Sequence, residues 1–162
     1  MKRIVTNLKM KPFKHIAIYS YKAPQVLLNE LKQIIDRTTC ETATILPHLE
    51  ELQPHTDLLM VIGGDGSMIS AVTHSQLLDI PIIGINTGKL GFLTDLSVDE
   101  LSHHVTAIIH GEYQLETRNL LSCSINQKPV GECVNEVVLS RSSALNMINF
   151  SLHINDHFLH QH

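Results

Sequence analysis

The segment best suited to chemistry is Gly63-Gly64-Asp65-Gly66-Ser67, which directly follows the apolar run 57–62. Glycines let a phosphate approach the backbone closely, and successive amides at the start of a helix bind anions. Asp65 would repel a phosphate, so this carboxylate needs another task, such as accepting a proton from a hydroxyl or holding Mg²⁺. A plain turn would explain one or two of the glycines but not the acidic residue. The pattern therefore favours a phosphate loop of Gly63, Gly64, Gly66 and Ser67 with a catalytic carboxylate.

Two further segments could contribute to the same site. The segment 86–95, NTGKLGFLTD, follows another apolar run, and its Phe92 could pack on a flat ring of a ligand or belong to the core. Asn135 and Glu136 could bind a ribose or a base edge, although a turn before a strand also explains them. Ligands of open parallel sheets bind beyond the carboxyl ends of the strands. We therefore expect both glycine-rich segments to face one crevice.

Other common sites do not fit the sequence. The segment from Gly84 to Leu90 differs from a Walker A loop in its glycine spacing, and Leu90 stands where Ser or Thr must meet Mg²⁺. The dinucleotide fingerprint fails because Ile69 occupies the position of its third glycine. The 11 histidines could hold a metal or could simply be exposed. No carboxylate or cysteine supports them at a suitable spacing, so we predict no protein-bound metal site.

The elements that must position these residues alternate between strand and helix. Short apolar runs predict strands at 15–19, 42–46, 57–62 and 80–85, and helical spacing predicts helices after Pro24, at 68–78 and at 98–109, with Gly111 as a stop. Beyond Arg118 the pattern becomes strand-like, at 120–125, 136–140 and 148–154, with a hairpin turn at 126–129. The sequence thus predicts an α/β fold. A Rossmann-like parallel-sheet domain (1–117) precedes the first strands of an all-β domain (118–162).

Composition limits the class of function. The chain has 162 residues and a formal charge of −4, which disfavours a general nucleic-acid binder. It has no apolar run long enough for a transmembrane helix and no secretory signal pattern. We therefore expect a cytoplasmic protein that contacts neither a membrane nor nucleic acid.

Taken together, the three motifs resemble the NAD kinase family. The match comprises GGDGS at 63–67, NTGKLGFLTD at 86–95 and NEVVLSR at 135–141, in the family's order and spacing. GGDG alone also occurs in lipid kinases and in ATP phosphofructokinases, whereas the second and third motifs are more specific. The resemblance covers the whole chain.

The resemblance implies transfer of a phosphoryl group to the 2′-hydroxyl of the adenosine ribose of NAD, which yields NADP. ATP or polyphosphate would be the donor, with Mg²⁺ or another divalent cation. Asp65 would accept the hydroxyl proton, Gly66 would contact NAD, and Phe92 would lie beside the adenine. Asn135 and Glu136 would bind the adenosine. Asn146 stands where some relatives place a basic or histidine residue that contacts the ligand.

The chain departs from the family pattern at its end. Family members continue with an R-x-D-G element, a TPTGSTAY-type segment and the rest of the β domain. We therefore expect the chain to be inactive alone, and the full-length protein to form a homodimer or homotetramer. Two alternatives stay open, namely a GGDG-type lipid kinase and an inactive nucleotide-binding fragment.

Overall fold

The structure of the chain is a computed structural model that describes residues 2–75, 79–88, 91–140 and 147–161. The elements up to residue 117 are β1 (Lys2–Lys9), β2 (His15–Tyr19), α1 (Gln25–Asp36), β3 (Thr42–Leu46), β4 (Leu58–Ile62), α2 (Asp65–Ser75), β5 (Ile82–Asn86), β6 (Leu96–Ser97), α3 (Leu101–Ile109) and β7 (Glu112–Thr117). The later elements are β8 (Leu121–Ile125), β9 (Lys128–Cys133), β10 (Ser151–Ile154) and β11 (His157–Gln161).

The first seven strands form one sheet in the order β3-β2-β4-β5-β1-β7, and β6 pairs with the end of β5. All pairings are parallel except that of β1 with β7, which is antiparallel. Every residue of β4 and β5 is buried, as expected for strands covered on both faces. The predicted parallel α/β sheet, followed by antiparallel strands, is thereby confirmed.

Helices cover both faces of this sheet. One face packs against α1 and α3, whose buried side chains include Leu31, Ile35 and Val105. The other face packs against α2 through Met68 and Val72. The helix that follows β2 and the helix that follows β4 therefore lie on opposite faces, although β2 and β4 are neighbours in the sheet.

Two separate hairpins follow the sheet, β8-β9 and β10-β11. Asn126 and Gln127 form the predicted first turn with φ of 51° and 65°, and both angles lie in the range that a tight type I′ turn requires. Many apolar side chains of this region are exposed, including Val130 and Phe158. No helix among the described residues has the length and apolar character needed to cross a membrane.

Two of the strand predictions were wrong, and several strands were not predicted. Residues 136–140 form no strand, and the run 148–154 is a strand only from Ser151. Val138 and Leu139 are 71% and 74% exposed, so this apolar segment has no sheet to pack into, and strand propensity depends on such a context. The strands that were not predicted are β1, β6, β7, β9 and β11. Strand β1 carries basic and polar residues and no apolar run, yet it pairs with β7.

Candidate functional site

The turn after β4 has the local shape that its glycines permit. Gly63 has a φ of 156°, and a Cβ there would overlap the Ser67 side chain. The Gly64 carbonyl accepts the amides of Ser67 (3.0 Å) and Met68 (3.2 Å), so helix α2 begins at Asp65. A Cβ on Gly64 or Gly66 would meet nothing within 4 Å. These two glycines therefore border open space, which leaves room for a ligand to reach the backbone.

Asp65 joins the two glycine-rich segments. Its Oδ2 accepts the Phe92 amide at 3.0 Å and its Oδ1 accepts the Leu93 amide at 2.9 Å. Gly91 lies directly under this carboxylate, because a Cβ there would come within 2.7 Å of the Asp65 Cγ. The structure therefore brings both segments to one place at the carboxyl edge of the sheet. The sequence suggested proton transfer for Asp65 but missed this anchoring contact.

The segment after β5 is held in shape by its own polar side chains. The buried Asn86 accepts the Gly88 amide at 2.7 Å and donates to the Thr94 hydroxyl at 3.2 Å. The same hydroxyl accepts the Gly91 amide at 3.2 Å. Thus Asn86 and Thr94, which the sequence analysis did not single out, shape the loop that presents Phe92.

Asp95 fastens the end of this loop back onto β5. Its carboxylate accepts the Gly84 amide at 3.0 Å, and its own amide donates to the Gly84 carbonyl at 2.8 Å. Gly84 has no room for a side chain, since a Cβ would lie 2.9 Å from the Thr94 Cα and 2.8 Å from the Met68 sulfur. The loop, strand β5 and helix α2 are therefore closely packed around one residue.

Phe92 presents its ring to solvent from a fixed backbone. The side chain is 91% exposed, although its amide is bound by Asp65. Phe92 is therefore not a core residue, which was one of the two interpretations of the sequence. Its contact with adenine stays a prediction.

Asn135 and Glu136 lie exposed just after β9. The preceding residue, Val134, packs against the apolar cluster that contains Met68 and Leu93, so the segment starts beside the site. Within the described ranges, neither side chain hydrogen-bonds either glycine-rich segment. Asn146 lies outside the described residues. The roles of all three stay predictions.

Three clefts share Tyr21 in their lining, and two of them border the glycine-rich turn. A cleft of about 420 Å³ lies between residues 20–24 and the 62–67 turn. Tyr21 lines this cleft, a second of about 260 Å³ and a third of about 340 Å³. The sequence analysis missed residues 20–24, although they follow β2 as the phosphate loop follows β4 and therefore share the same edge of the sheet.

The third cleft contains a contact between the His74 imidazole and the Glu50 carboxylate, whose atoms Nε2 and Oε1 are 3.3 Å apart. A hydrogen bond from the Glu50 backbone amide is the largest cause of the lowered pKa of the Glu50 carboxyl, and the neighbouring His74 side chain lowers it further. Among the described residues, no three His, Cys, Asp or Glu side chains form a group that could hold a metal.

These features define an α/β protein with a glycine-rich turn and a fixed carboxylate at the carboxyl edge of its parallel sheet. The sequence model of the ATP-NAD kinase N-terminal domain matches residues 5–113. The chain therefore belongs to the NAD kinase family, as its motifs indicated.

Comparison with individual proteins supports the same family assignment. The NAD kinase of Teredinibacter turnerae is 36% identical over 156 residues, which cover 88% of this chain and 52% of that protein. The NAD kinase of Marinomonas sp. is 42% identical over 115 residues, which cover 68% of this chain and 39% of that protein. The chain thus spans about half the length, or less, of these curated relatives.

Two solved structures share the fold. Yeast NADH kinase complexed with NADH superposes with a TM-score of 0.74 at 17% identity, covering 93% of this chain and 55% of that one. An NAD kinase from Archaeoglobus fulgidus in complex with ATP gives a TM-score of 0.72 at 19% identity, covering 91% of this chain and 56% of that one.

Proposed function

We propose that the protein containing this chain is an NAD kinase that transfers the γ-phosphoryl group of ATP to the 2′-hydroxyl of the adenosine ribose of NAD. The observation that carries the proposal is the Asp65 carboxylate, held by two amides beside the open Gly64 and Gly66. The GGDG lipid-kinase alternative is not favoured, because the family model spans both GGDGS and the segment 86–95, and the matching relatives are NAD kinases.

In the proposed reaction, a bond forms between the ribose 2′-oxygen and the γ-phosphorus, and the bond from that phosphorus to the leaving ADP breaks. The hydroxyl proton passes to Asp65. A carboxylate offers about four lone-pair positions, so two amide bonds leave capacity for this proton. A positioned general base of this kind contributes roughly 10²- to 10⁴-fold to a rate.

The start of α2 supplies the phosphate side. Amides at a helix N-terminus bind anions, and the helix dipole adds about 0.3–1 kcal/mol of stabilisation at an exposed site. Mg²⁺ commonly binds through one or two carboxylates together with substrate phosphates. We accordingly assign a divalent cation to the ATP phosphates beside Asp65. Phe92, Asn135, Glu136 and Asn146 are proposed to bind the adenosine part of NAD.

Three features stay predictions from the sequence alone. They are the cytoplasmic location, the homo-oligomeric assembly and the domain boundary near residue 117.

The test is an NADP-forming assay on the purified full-length protein that contains this chain, with NAD, ATP and Mg²⁺, coupled to an NADP-specific dehydrogenase. Asp65→Asn should lower kcat at least 100-fold and leave the Kd for NAD within about threefold. The matched control is Asp99→Asn, because Asp99, although more exposed than the partly buried Asp65, also lies near a helix start.

Two results would contradict the proposal. A wild-type rate in Asp65→Asn would show that Asp65 is not the proton acceptor. Binding of NAD by the full-length wild type without NADP formation would instead identify a nucleotide-binding protein that is not a kinase.

A further inference from the structure

The proposed site lies where the strand order of the sheet reverses, because β3 follows β2 on one side and β5 follows β4 on the other. Strands β2 and β4 are neighbours, but α1 after β2 and α2 after β4 pack on opposite faces. The two connections therefore diverge, and a crevice opens between them at the carboxyl edge. Ligands of open α/β sheets bind in this kind of crevice.

The two walls of the crevice differ in chemistry. The wall after β4 is the glycine turn, which offers backbone amides. The wall after β2 is residues 20–24, and its Lys22 is the one charged side chain among the described residues that line the cleft. The ammonium group of Lys22 lies 5.5 Å from the ring centre of Tyr21. Within the described ranges, Lys22 has no carboxylate partner.

Ser20 fixes the β2 wall relative to the glycine turn. Its hydroxyl donates to the Ile62 carbonyl at 2.7 Å and accepts the Ala23 amide at 2.9 Å. Ile62 directly precedes Gly63, so the loop that carries Tyr21 and Lys22 is tied to the start of the phosphate loop.

Tyr21 separates the crevice from the neighbouring cleft. Its side chain is 74% exposed and lines both spaces. An exposed ring that is held beside a phosphate site can stack on a base, and such stacking tolerates any base.

From this placement we infer that Tyr21 and Lys22 form the phosphoryl-donor half of the site. Lys22 binds the triphosphate, and Tyr21 stacks on the base of a nucleoside triphosphate. The positive charge of the Lys22 ammonium group would offset the negative charge that Asp65 brings close to the donor phosphates. The inference rests on the proposed function and assigns the β2 wall to the donor.

The experiment compares ATP, which has a base, with tripolyphosphate, which has none. The KM for ATP, the KM for NAD and the inhibition constant of tripolyphosphate against ATP are measured for each variant. Tyr21→Ala should raise the KM for ATP about tenfold, without changing tripolyphosphate inhibition or the KM for NAD. Tyr21→Phe keeps the aromatic ring and should therefore retain most of the wild-type affinity for ATP.

Lys22→Met should weaken the binding of ATP and of tripolyphosphate alike, by about tenfold or more. The matched control is Lys11→Met, an exposed lysine before β2 at the opposite edge of the sheet. Calorimetric titration of ATP gives the same comparison without turnover, so loss of kinase activity and loss of the donor site are distinguished.

Two outcomes would overturn the inference. In one, Tyr21→Ala and Lys22→Met both keep the affinity for ATP within twofold of the wild type. In the other, the variants weaken the binding of NAD but not of ATP, and residues 20–24 then belong to the NAD half of the site.

Discussion

Replacing Gly91 with alanine tests whether the Asp65 carboxylate lies over this part of the backbone. A Cβ at residue 91 would sit 2.7 Å from the Asp65 Cγ and 2.9 Å from its Oδ2, both well inside contact distance. The carboxylate has to move, and it then loses the amides of Phe92 and Leu93. We therefore expect Gly91→Ala to affect both stability and catalysis.

The size of the effect follows from the two lost hydrogen bonds. Bonds to charged groups contribute about 1.5–3 kcal/mol each. Asp65 is only partly buried, so water replaces part of that interaction. We expect a net loss of about 2 kcal/mol, which for a chain of this length lowers the Tm by roughly 4–8 °C. Because the proposed proton acceptor is displaced, kcat for NADP formation should fall about 100-fold.

The assay is thermal unfolding followed by circular dichroism, together with NADP formation. Gly88→Ala is the matched control in the same loop, because a Cβ there would lie an ordinary 3.8 Å from the Asn86 Oδ1. An Asp65→Ala background sharpens the test. Without a carboxylate to displace, adding Gly91→Ala should change the Tm by less than about 1 °C.

Two results would refute this reasoning. One is a Gly91→Ala variant with the Tm and the rate of the wild type. The other is an equal loss of stability with and without the Asp65 carboxylate, which would mean that the methyl group clashes with something else.

Two further predictions concern the frame around the site. Gly111 has a φ of 93°, and a Cβ there would overlap the Met10 carbonyl, so Gly111→Ala should cost about 1–3 kcal/mol in unfolding experiments; Gly131→Ala, which adds a Cβ in open space, is the control, and equal Tm values would contradict the prediction. Hydrogen bonds from the Ser97 amide and hydroxyl lower the pKa of Glu100 from its ordinary 4.5. This contribution to stability is present above that pKa and is lost as the pH falls through the lower value in the folded state. The Tm gap between wild type and Glu100→Gln should therefore shrink as the pH falls from 6 to 3, and a constant gap would contradict it.

The local pattern predicted the elements of the sheet well, where burial made the pattern simple. Strand β2 occupies the predicted residues 15–19, and β4 lacks only the first predicted residue. Strands buried on both faces are continuous apolar runs, which are visible without any knowledge of the fold. The same method missed β1 and overpredicted residues 136–140, because in those segments the partner strand, and not the residue type, decides the structure.

For the candidate site, too, some features were visible in the sequence and others depended on the tertiary structure. The sequence by itself determined its chemistry, since the glycines, the carboxylate of Asp65 and the aromatic ring of Phe92 are recognisable as types at a spacing. Only the tertiary structure decided that Asp65 binds amides 27 and 28 residues away, and that the Phe92 ring faces solvent. It also placed Tyr21 across the crevice from the phosphate loop. Strand order brings these segments together, and strand order arises from the packing of helices on the two faces of the sheet. No local periodicity encodes that packing.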